Sequence, residues 1–170
     1  MSESTNPVIV IETAQGSITV ELLADKAPKT VENFLAHVDS EYYDGTIFHR
    51  VISQFMIQGG GMDADMNDKP TKISVENEAD NGLSNERGTL AMARTTDPHG
   101  ATAQFFINTV DNNSLDHRSK TNSGWGYCVF GKVTDGMDAV DAIRGVATTR
   151  KRMHDDVPVE PIVISSIKRA

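Results

Sequence analysis

The sequence has little of several features that define whole classes of protein. One cysteine, Cys128, occurs among 170 residues, so no disulfide can form within the chain. No apolar run approaches the roughly 20 residues that a membrane-spanning helix requires. The formal charge is -8, whereas nucleic-acid-binding domains are usually basic, and no polybasic patch indicates an anionic membrane surface. These absences predict a globular protein with no nucleic-acid and no membrane partner.

The first residues, Met-Ser-Glu-Ser-Thr-Asn-Pro, have neither the basic region nor the apolar core of a signal peptide. Together with a lone cysteine in an apolar run, this predicts a cytoplasmic location. The length suits one domain, which we expect to comprise residues 1–170, with residues 1–6 flexible. A monomer is the default expectation.

Hydrophobic periodicity predicts many short strands and only two helices. Such a pattern is typical of an all-β barrel or sandwich, and full closure would remove the exposed sheet edges. Long loops are expected at 59–88 and 109–126. The predicted strands lie at 7–13, 17–23, 46–52, 55–58, 89–93, 103–108, 127–133 and 161–167, and the predicted helices at 30–38 and 135–144.

A single permanently charged residue, Arg50, stands in an apolar, strand-like run. Arginine is almost never fully buried without a partner, so this side chain either lies in solvent or binds a ligand. Because side chains alternate along strands, three groups are expected to share a face within their own strand. These groups are Phe48, Arg50 and Ile52; Met56 and Gln58; and Gln104, Phe106 and Asn108.

Those faces mix aromatic, aliphatic, amide and guanidinium groups, which leaves two interpretations open. One is a peptide-binding groove, which needs an apolar recess and a few polar groups that hold a backbone. The other is a half-exposed sheet with scattered polar residues. The five histidines lack zinc-ligand spacing, so no metal and no cofactor is expected. We expect His37 on the polar face of its helix, and His49 pointing away from Arg50 in a structural role.

Several sequence blocks resemble the cyclophilin family of peptidyl-prolyl cis-trans isomerases. Their order and spacing hold over nearly the whole chain, and the loops at 59–88 and 124–127 look most like its bacterial cytosolic branch. The blocks are Phe48–Arg50 with Phe55–Gly60, Gly88–Ala93, Ala103–Asn108, and Val129–Val133 followed by Gly136 and Met137.

The resemblance implies a mainly β fold: a closed eight-stranded antiparallel β-barrel flanked by two α-helices, with an active groove on its outer face. It implies that Arg50 is the catalytic residue. The implied proline pocket consists of Phe55, Met56, Phe106 and Leu115. The other implied substrate-binding residues are Gln58 and Gln104, which would contact the substrate backbone, Ala93 and Arg94, which would act mainly through backbone groups, and Tyr127, which replaces a histidine of many relatives.

One position departs from the family pattern. Ser114 stands where relatives carry a tryptophan or phenylalanine that helps to hold the drug cyclosporin, so the resemblance implies weak cyclosporin binding here. Trp125, eleven residues further on, is not an evident substitute.

Two functions from different classes remain open at this point. The first is an isomerase that acts on Xaa-Pro bonds of proline-containing peptides and of unfolded or folded protein clients during protein folding. The second is a module or holdase that binds proline segments and whose catalysis is incidental; an inert structural barrel ranks below both. Arg50 favours the enzyme, because binding alone does not require a charged donor in an apolar groove.

Overall fold

The computed structural model describes residues 6–71 and 74–170. The flexibility expected of residues 1–5 therefore concerns positions outside the described part. The strands are β1 Val8–Thr13, β2 Gly16–Leu22, β3 Arg50–Ile52, β4 Met56–Gly59, β5 Thr89–Met92, β6 Phe105–Asn108, β7 Val129–Asp135, β8 Thr148–Lys151, β9 His154–Pro158 and β10 Ile164–Arg169; the helices are α1 Pro28–Asp39 and α2 Met137–Arg144.

Eight of the strands form one curled antiparallel sheet in the order β10-β1-β2-β7-β5-β6-β4-β3. This arrangement is an open half-barrel, because the terminal strands β3 and β10 are not neighbours in the described sheet. The segments that precede these two strands do meet, through an isolated bridge between Ile47 and Val163. The mainly β fold with two helices is thus confirmed, and the closed barrel only as far as this half-barrel.

The main hydrophobic core fills the concave side of the sheet. Helix α1 contributes Phe34, whose ring packs against Phe130 at 5.1 Å and edge-on against Phe105 at 5.6 Å between centroids. The apolar positions of α1 recur at helical spacing, so one face of the helix is buried while its opposite face stays exposed.

The N-terminus of α1 receives its cap from a residue that is distant in sequence. Pro28 suits the first turn, where its missing N–H costs nothing. The Glu78 carboxylate accepts bonds from the backbone N–H of Thr30 at 2.7 Å and from its hydroxyl at 2.8 Å. The carboxylate therefore satisfies an otherwise unpaired helix donor and ties the loop at 76–81 to the helix.

A hairpin that the sequence patterns did not indicate follows α2. Strands β8 and β9 pair separately from the main sheet and turn at Arg152 and Met153, which both adopt positive φ. The turn contains no Gly or Asn, so the usual hairpin signal is missing.

His37 and Cys128 are both buried. His37 was expected on a polar face, which is wrong: it is buried at 2% exposure, and its ring nitrogens contact the Asn33 carbonyl at 2.8 Å and the Thr71 hydroxyl at 3.0 Å. Cys128 is buried, and burial raises the pKa of its thiol to about 11, as suits an unreactive core residue.

No helix among the described residues has the length and apolarity needed to cross a membrane.

Candidate active site

A row of polar side chains on the convex side of the sheet runs from β3 across β4 to Gln104, the residue that precedes β6. Arg50 opens β3 and is exposed, and its register partner is Gln58 on β4. The Arg50 guanidinium donates to the Gln58 side-chain oxygen at 3.4 Å, and the Gln58 amide donates to Gln104 at 2.9 Å. The two glutamines therefore hold each other and extend toward the guanidinium.

A second hydrophobic cluster, separate from the main core, adjoins this polar row. Its buried members are Met56, Ala91, Phe106 and Val129. Half-buried side chains surround it and leave part of the cluster accessible from the convex side. They are Ile52, Phe55, Leu83, Ala93, Leu115 and Tyr127.

Strand alternation predicted most of this grouping. Met56 and Phe106 belong to the second cluster, whereas Phe105 and Ile107 belong to the main core, so the assigned faces are confirmed. The placement of Phe48 with Arg50 and Ile52 is wrong, because Phe48 lies in the main core. The reason is that β3 begins only at Arg50, so period-two alternation does not extend back to Phe48.

Phe55 and Leu115 come to the cluster from outside the strands. Phe55 lies in the turn before β4, where its carbonyl accepts bonds from the Thr109 N–H at 3.1 Å and the Asn112 amide at 2.8 Å. Leu115 ends a short 3-10 turn, and its N–H donates to the Asn112 carbonyl at 2.9 Å. Asn112 thus connects two walls of the cluster.

Asn112 is part of a buried polar network that sequence reasoning missed. Its amide also donates to Asn108 at 2.8 Å, and Asn108 donates to Asn85 at 3.1 Å. The Asp116 carboxylate accepts from the Asn85 backbone N–H at 2.7 Å and from the Ser84 hydroxyl at 2.6 Å. Satisfied buried networks of this kind hold a unique geometry. Only the asparagine content of two predicted loops hinted at it.

Tyr127 forms the wall of the cluster on the side of β7. Its ring lies edge-on to Phe106 at 5.7 Å, and the Arg94 guanidinium sits over it at 4.6 Å. The preceding Gly126 has φ +73°, and a Cβ there would lie 2.6 Å from the Leu115 carbonyl oxygen. Glycine therefore permits the close approach that brings Tyr127 beside Leu115.

Ala93 and Ser114 also lie at this site, whereas Trp125 does not. Ala93 is half-buried, and its N–H donates to the Gln104 carbonyl at 3.0 Å. Ser114 is exposed beside Leu115. Trp125 packs between the rings of His99 and His117, at 5.0 and 4.9 Å, and does not belong to the cluster.

The Arg50 guanidinium has a buried histidine as its neighbour in the chain and no acidic partner among the described residues. No described carboxylate forms an ion pair with its guanidinium. The neighbouring His49 is buried at 6% exposure, and its Nδ1 has no hydrogen-bond partner among the described groups. Burial is the main reason that the pKa of His49 falls to about 4; the charges of His154 and Arg50 lower it further, and Asp68 opposes them.

The burial of His49 predicts a pH-dependent stability. The unfolded chain takes up a proton below the ordinary histidine pKa of 6.5, whereas the folded chain resists protonation until about pH 4. Stability is therefore fully present above pH 6.5 and is lost as the pH falls toward 4. Between pH 8 and pH 5 we expect a loss of about 2 kcal/mol from this group.

Urea unfolding of the wild type and of His49→Gln at both pH values measures this term. Because the carboxylates titrate in both proteins, the difference between the two pH dependences isolates His49. Parallel pH dependences would show that His49 contributes nothing.

A large cavity lies away from this site. It has a volume of about 820 Å³ and lies beside the N-terminal end of α1, with Glu76, Asp80 and Lys120 among its lining residues. Glu76 pairs with Lys29 at 3.4 Å and Asp80 with Lys120 at 3.7 Å, so these charges already have partners.

The convex site has the composition of a groove for an extended peptide: an accessible apolar cluster beside amides and one guanidinium. Comparison with known proteins defines the class further. A family model described as "Cyclophilin type peptidyl-prolyl cis-trans isomerase/CLD" matches residues 8–169. This chain belongs to the cyclophilin family and is a peptidyl-prolyl cis-trans isomerase.

Individual relatives agree with this assignment. The chain is 62% identical to peptidyl-prolyl cis-trans isomerase cyp18 of Streptomyces antibioticus, covering 94% of this chain and 96% of the relative. It is 56% identical to peptidyl-prolyl cis-trans isomerase B of Escherichia coli, covering 94% and 98%. A crystal structure of a Cryptosporidium parvum cyclophilin in the presence of the dipeptide Ala-Pro is similar, with a TM-score of 0.77, 28% identity, and 96% and 98% coverage.

Proposed function

We propose that Arg50 is the catalytic residue of this isomerase and that the second hydrophobic cluster is its proline pocket. Phe55, Met56, Phe106 and Leu115 would enclose the proline ring. The observation that carries the proposal is the adjacency of two dissimilar surfaces: the polar row that ends in Arg50, and the accessible apolar cluster beside it.

The rotation barrier of the prolyl bond determines how much acceleration the site must provide. Rotation about a prolyl amide has a barrier of about 18–20 kcal/mol, and uncatalysed exchange takes tens to hundreds of seconds. Millisecond exchange needs an acceleration of about 10⁴- to 10⁵-fold, equivalent to roughly 5.5–7 kcal/mol. The peptide bond stays intact throughout, so neither a nucleophile nor a covalent intermediate is required.

Arg50 suits the transition state of this rotation. The twisted amide loses conjugation, so its nitrogen becomes pyramidal and gains a lone pair. A guanidinium donates to that lone pair and to the proline carbonyl, because it stays charged and carries several donors in a rigid fork. The lone pair develops only during rotation, so this contact lowers the barrier more than it strengthens substrate binding.

The other residues would confine the rotation to one bond. With the ring clamped in the pocket, Gln58 and Gln104 would hold the backbone that precedes the proline, and backbone groups of Ala93 and Arg94 would contact the peptide. Tyr127 would close the pocket on its β7 side, which its contact with Phe106 supports.

The proposal is tested by exchange NMR on an Ala-Pro-Phe-type peptide, with amide shifts of the protein recorded in the same titration. We expect accelerated cis–trans exchange and shift changes that concentrate at the polar row and the second cluster. Shift changes at the large cavity beside α1 instead would refute the assigned site, and binding without accelerated exchange would favour a binding module.

We also propose that the chain acts as a cytoplasmic monomer of one domain, 1–170, on unfolded or folded protein clients during folding, and that its half-barrel closes. The Ile47–Val163 bridge supports closure, together with bonds from the Phe48 N–H to the Ile162 carbonyl and from the Ile164 N–H to the Thr46 carbonyl. The absence of a second cysteine suits a reducing compartment.

Weak cyclosporin binding is expected from Ser114. The exposed serine offers no ring to the drug, and Trp125 is held between two histidines, away from the cluster. We expect Ser114→Trp to bind cyclosporin about tenfold tighter or more, since a well-packed interface tryptophan commonly contributes that much. Inhibition of peptide exchange measures both affinities, with Ser123→Trp as a control for an added surface ring. Equal inhibition of the wild type and of a tryptophan-bearing relative would contradict this expectation.

A further inference from the structure

A polar cavity of about 580 Å³ continues from the proline pocket on the side of Tyr127. Its lining carries five hydroxyl groups, one side-chain amide and one guanidinium, but no carboxylate. Such a composition favours an anionic ligand group, whereas the whole chain has a net charge of -8. The lining residues are Arg94, Thr95, Thr96, Ser114, Asn122, Ser123, Gly126 and Tyr127.

The guanidinium of this cavity is held in place before any ligand arrives. Arg94 Nε donates to the Gly126 carbonyl and Nη1 to the Thr95 carbonyl, both at 3.0 Å, and the group sits over the Tyr127 ring. No described carboxylate pairs with it. A fixed guanidinium binds a carboxylate at a smaller entropic cost than a flexible surface arginine does.

The opposite wall, which carries Asn122 and Ser123, is also ordered. The Arg118 N–H donates to the Gly124 carbonyl at 2.7 Å, and His117 Nδ1 lies 2.9 Å from the Trp125 carbonyl oxygen. The Trp125 ring, packed between two histidines, anchors the same loop. The cavity therefore has two fixed walls.

Strand order decides which end of a substrate reaches the cavity. Strand β6, which carries Phe106, lies between β4 and β5, and β7 lies beyond β5. Arg50 and Gln58 are thus on one side of the pocket, and Tyr127 with the cavity is on the other. If the glutamines hold the backbone before the proline, the chain after the proline leaves toward the cavity.

From this arrangement we infer that the polar cavity is a specificity subsite for an acidic side chain, Asp or Glu, on the residue that follows the proline. The inference rests on the proposed function, because the proposed pocket sets the direction of the peptide. Arg94 determines the preference through its side chain, in addition to the backbone contacts assigned to it above.

The test compares two peptides, Ala-Pro-Glu and Ala-Pro-Gln with blocked ends, by kcat/KM for cis–trans exchange. We expect the glutamate peptide to be favoured about threefold to fivefold at low salt, as for a partly exposed ion pair. The advantage should shrink as ionic strength rises. Arg94→Gln should bring the ratio close to one, whereas Arg150→Gln, which removes the same charge from the β8–β9 hairpin, should leave it unchanged.

A second variant covers the case in which Arg94→Gln does not fold. Ser114→Asp places a carboxylate at an exposed position of the cavity lining and should push the ratio below one. Equal rates for both peptides in the wild type, or a ratio unaffected by both cavity variants, would overturn the inference while leaving the proposed function intact. So would a preference that appears only when the glutamate precedes the proline. If neither peptide is isomerised faster than in buffer, the proposed function fails and the subsite fails with it.

Discussion

Replacing Arg50 with alanine is expected to lower kcat/KM for Xaa-Pro isomerisation by about a hundredfold or more. Removing one preorganised transition-state donor commonly costs about 10²- to 10³-fold. In the proposed mechanism the same side chain would provide both the donor to the amide nitrogen and the donor to the carbonyl. The loss should appear mainly in kcat, because the lone pair that Arg50 would contact exists only during rotation.

The fold should tolerate this change. Arg50 is exposed, and the only hydrogen bond of its side chain within the described residues is the 3.4 Å contact with Gln58. Exposed positions of this kind usually alter stability by no more than about 0.5 kcal/mol. Urea unfolding should therefore give nearly the same midpoint for variant and wild type.

Two further variants separate charge from geometry in the NMR exchange measurement. Arg50→Lys keeps the charge but loses the rigid fork, so its rate should lie between those of the wild type and the alanine variant. Arg118→Ala removes an exposed arginine from a nearby loop and should retain wild-type rates. Near-normal exchange in Arg50→Ala, with the fold intact, would eliminate the assigned role.

Replacing Phe106 with alanine is expected to damage both binding and stability. The ring is only 4% exposed, and it joins Met56, Ala91 and Val129 in the second cluster. Phe→Ala changes at buried sites cost about 3–5 kcal/mol of stability. The proposed pocket would also lose the wall that faces Tyr127, so kcat/KM should fall by about tenfold to a hundredfold, as for a lost apolar side chain.

The matched control is Phe130→Ala. Phe130 is equally buried, but its ring belongs to the main core on the other side of the sheet. Both variants should unfold at lower urea concentration, and only Phe106→Ala should show raised KM in the fraction that stays folded. Phe106→Leu should restore much of the stability and only part of the binding. Equal KM values for the two alanine variants would show that Phe106 does not belong to the substrate pocket.

Local periodicity was sufficient to predict most elements of the fold. The alternation of β4 and β6 correctly separated Met56 and Phe106 from Ile57 and Ile107, because side chains on a strand necessarily point to opposite faces. The same rule failed for Phe48, because this residue precedes β3 and its backbone is not yet part of a paired strand there. The β8–β9 hairpin was missed because its turn uses Arg152 and Met153 at positive φ. These residue types do not indicate a positive φ in a sequence.

Assembly of the site depended on contacts between distant segments. Nothing in the local pattern places the Phe55 carbonyl against Asn112, 57 residues later, or the Arg94 guanidinium over Tyr127. The resemblance to a family named Phe55, Arg94 and Tyr127, but not Asn112 with its asparagine network or the polar cavity beside them. Such features arise only when several loops converge on one face of the sheet.

By itself, the sequence determined the alternating faces of the strands, the amphipathic helices and the presence of one arginine in an apolar run. These properties depend on the chemistry of neighbouring residues, and neighbours interact in any conformation the chain adopts. Tertiary structure alone decided that Arg50 lies beside a second apolar cluster and that Arg94 faces a cavity without carboxylates. Those outcomes depend on which strands pair and on how loops far apart in sequence satisfy their buried polar groups, and only the folded chain settles them.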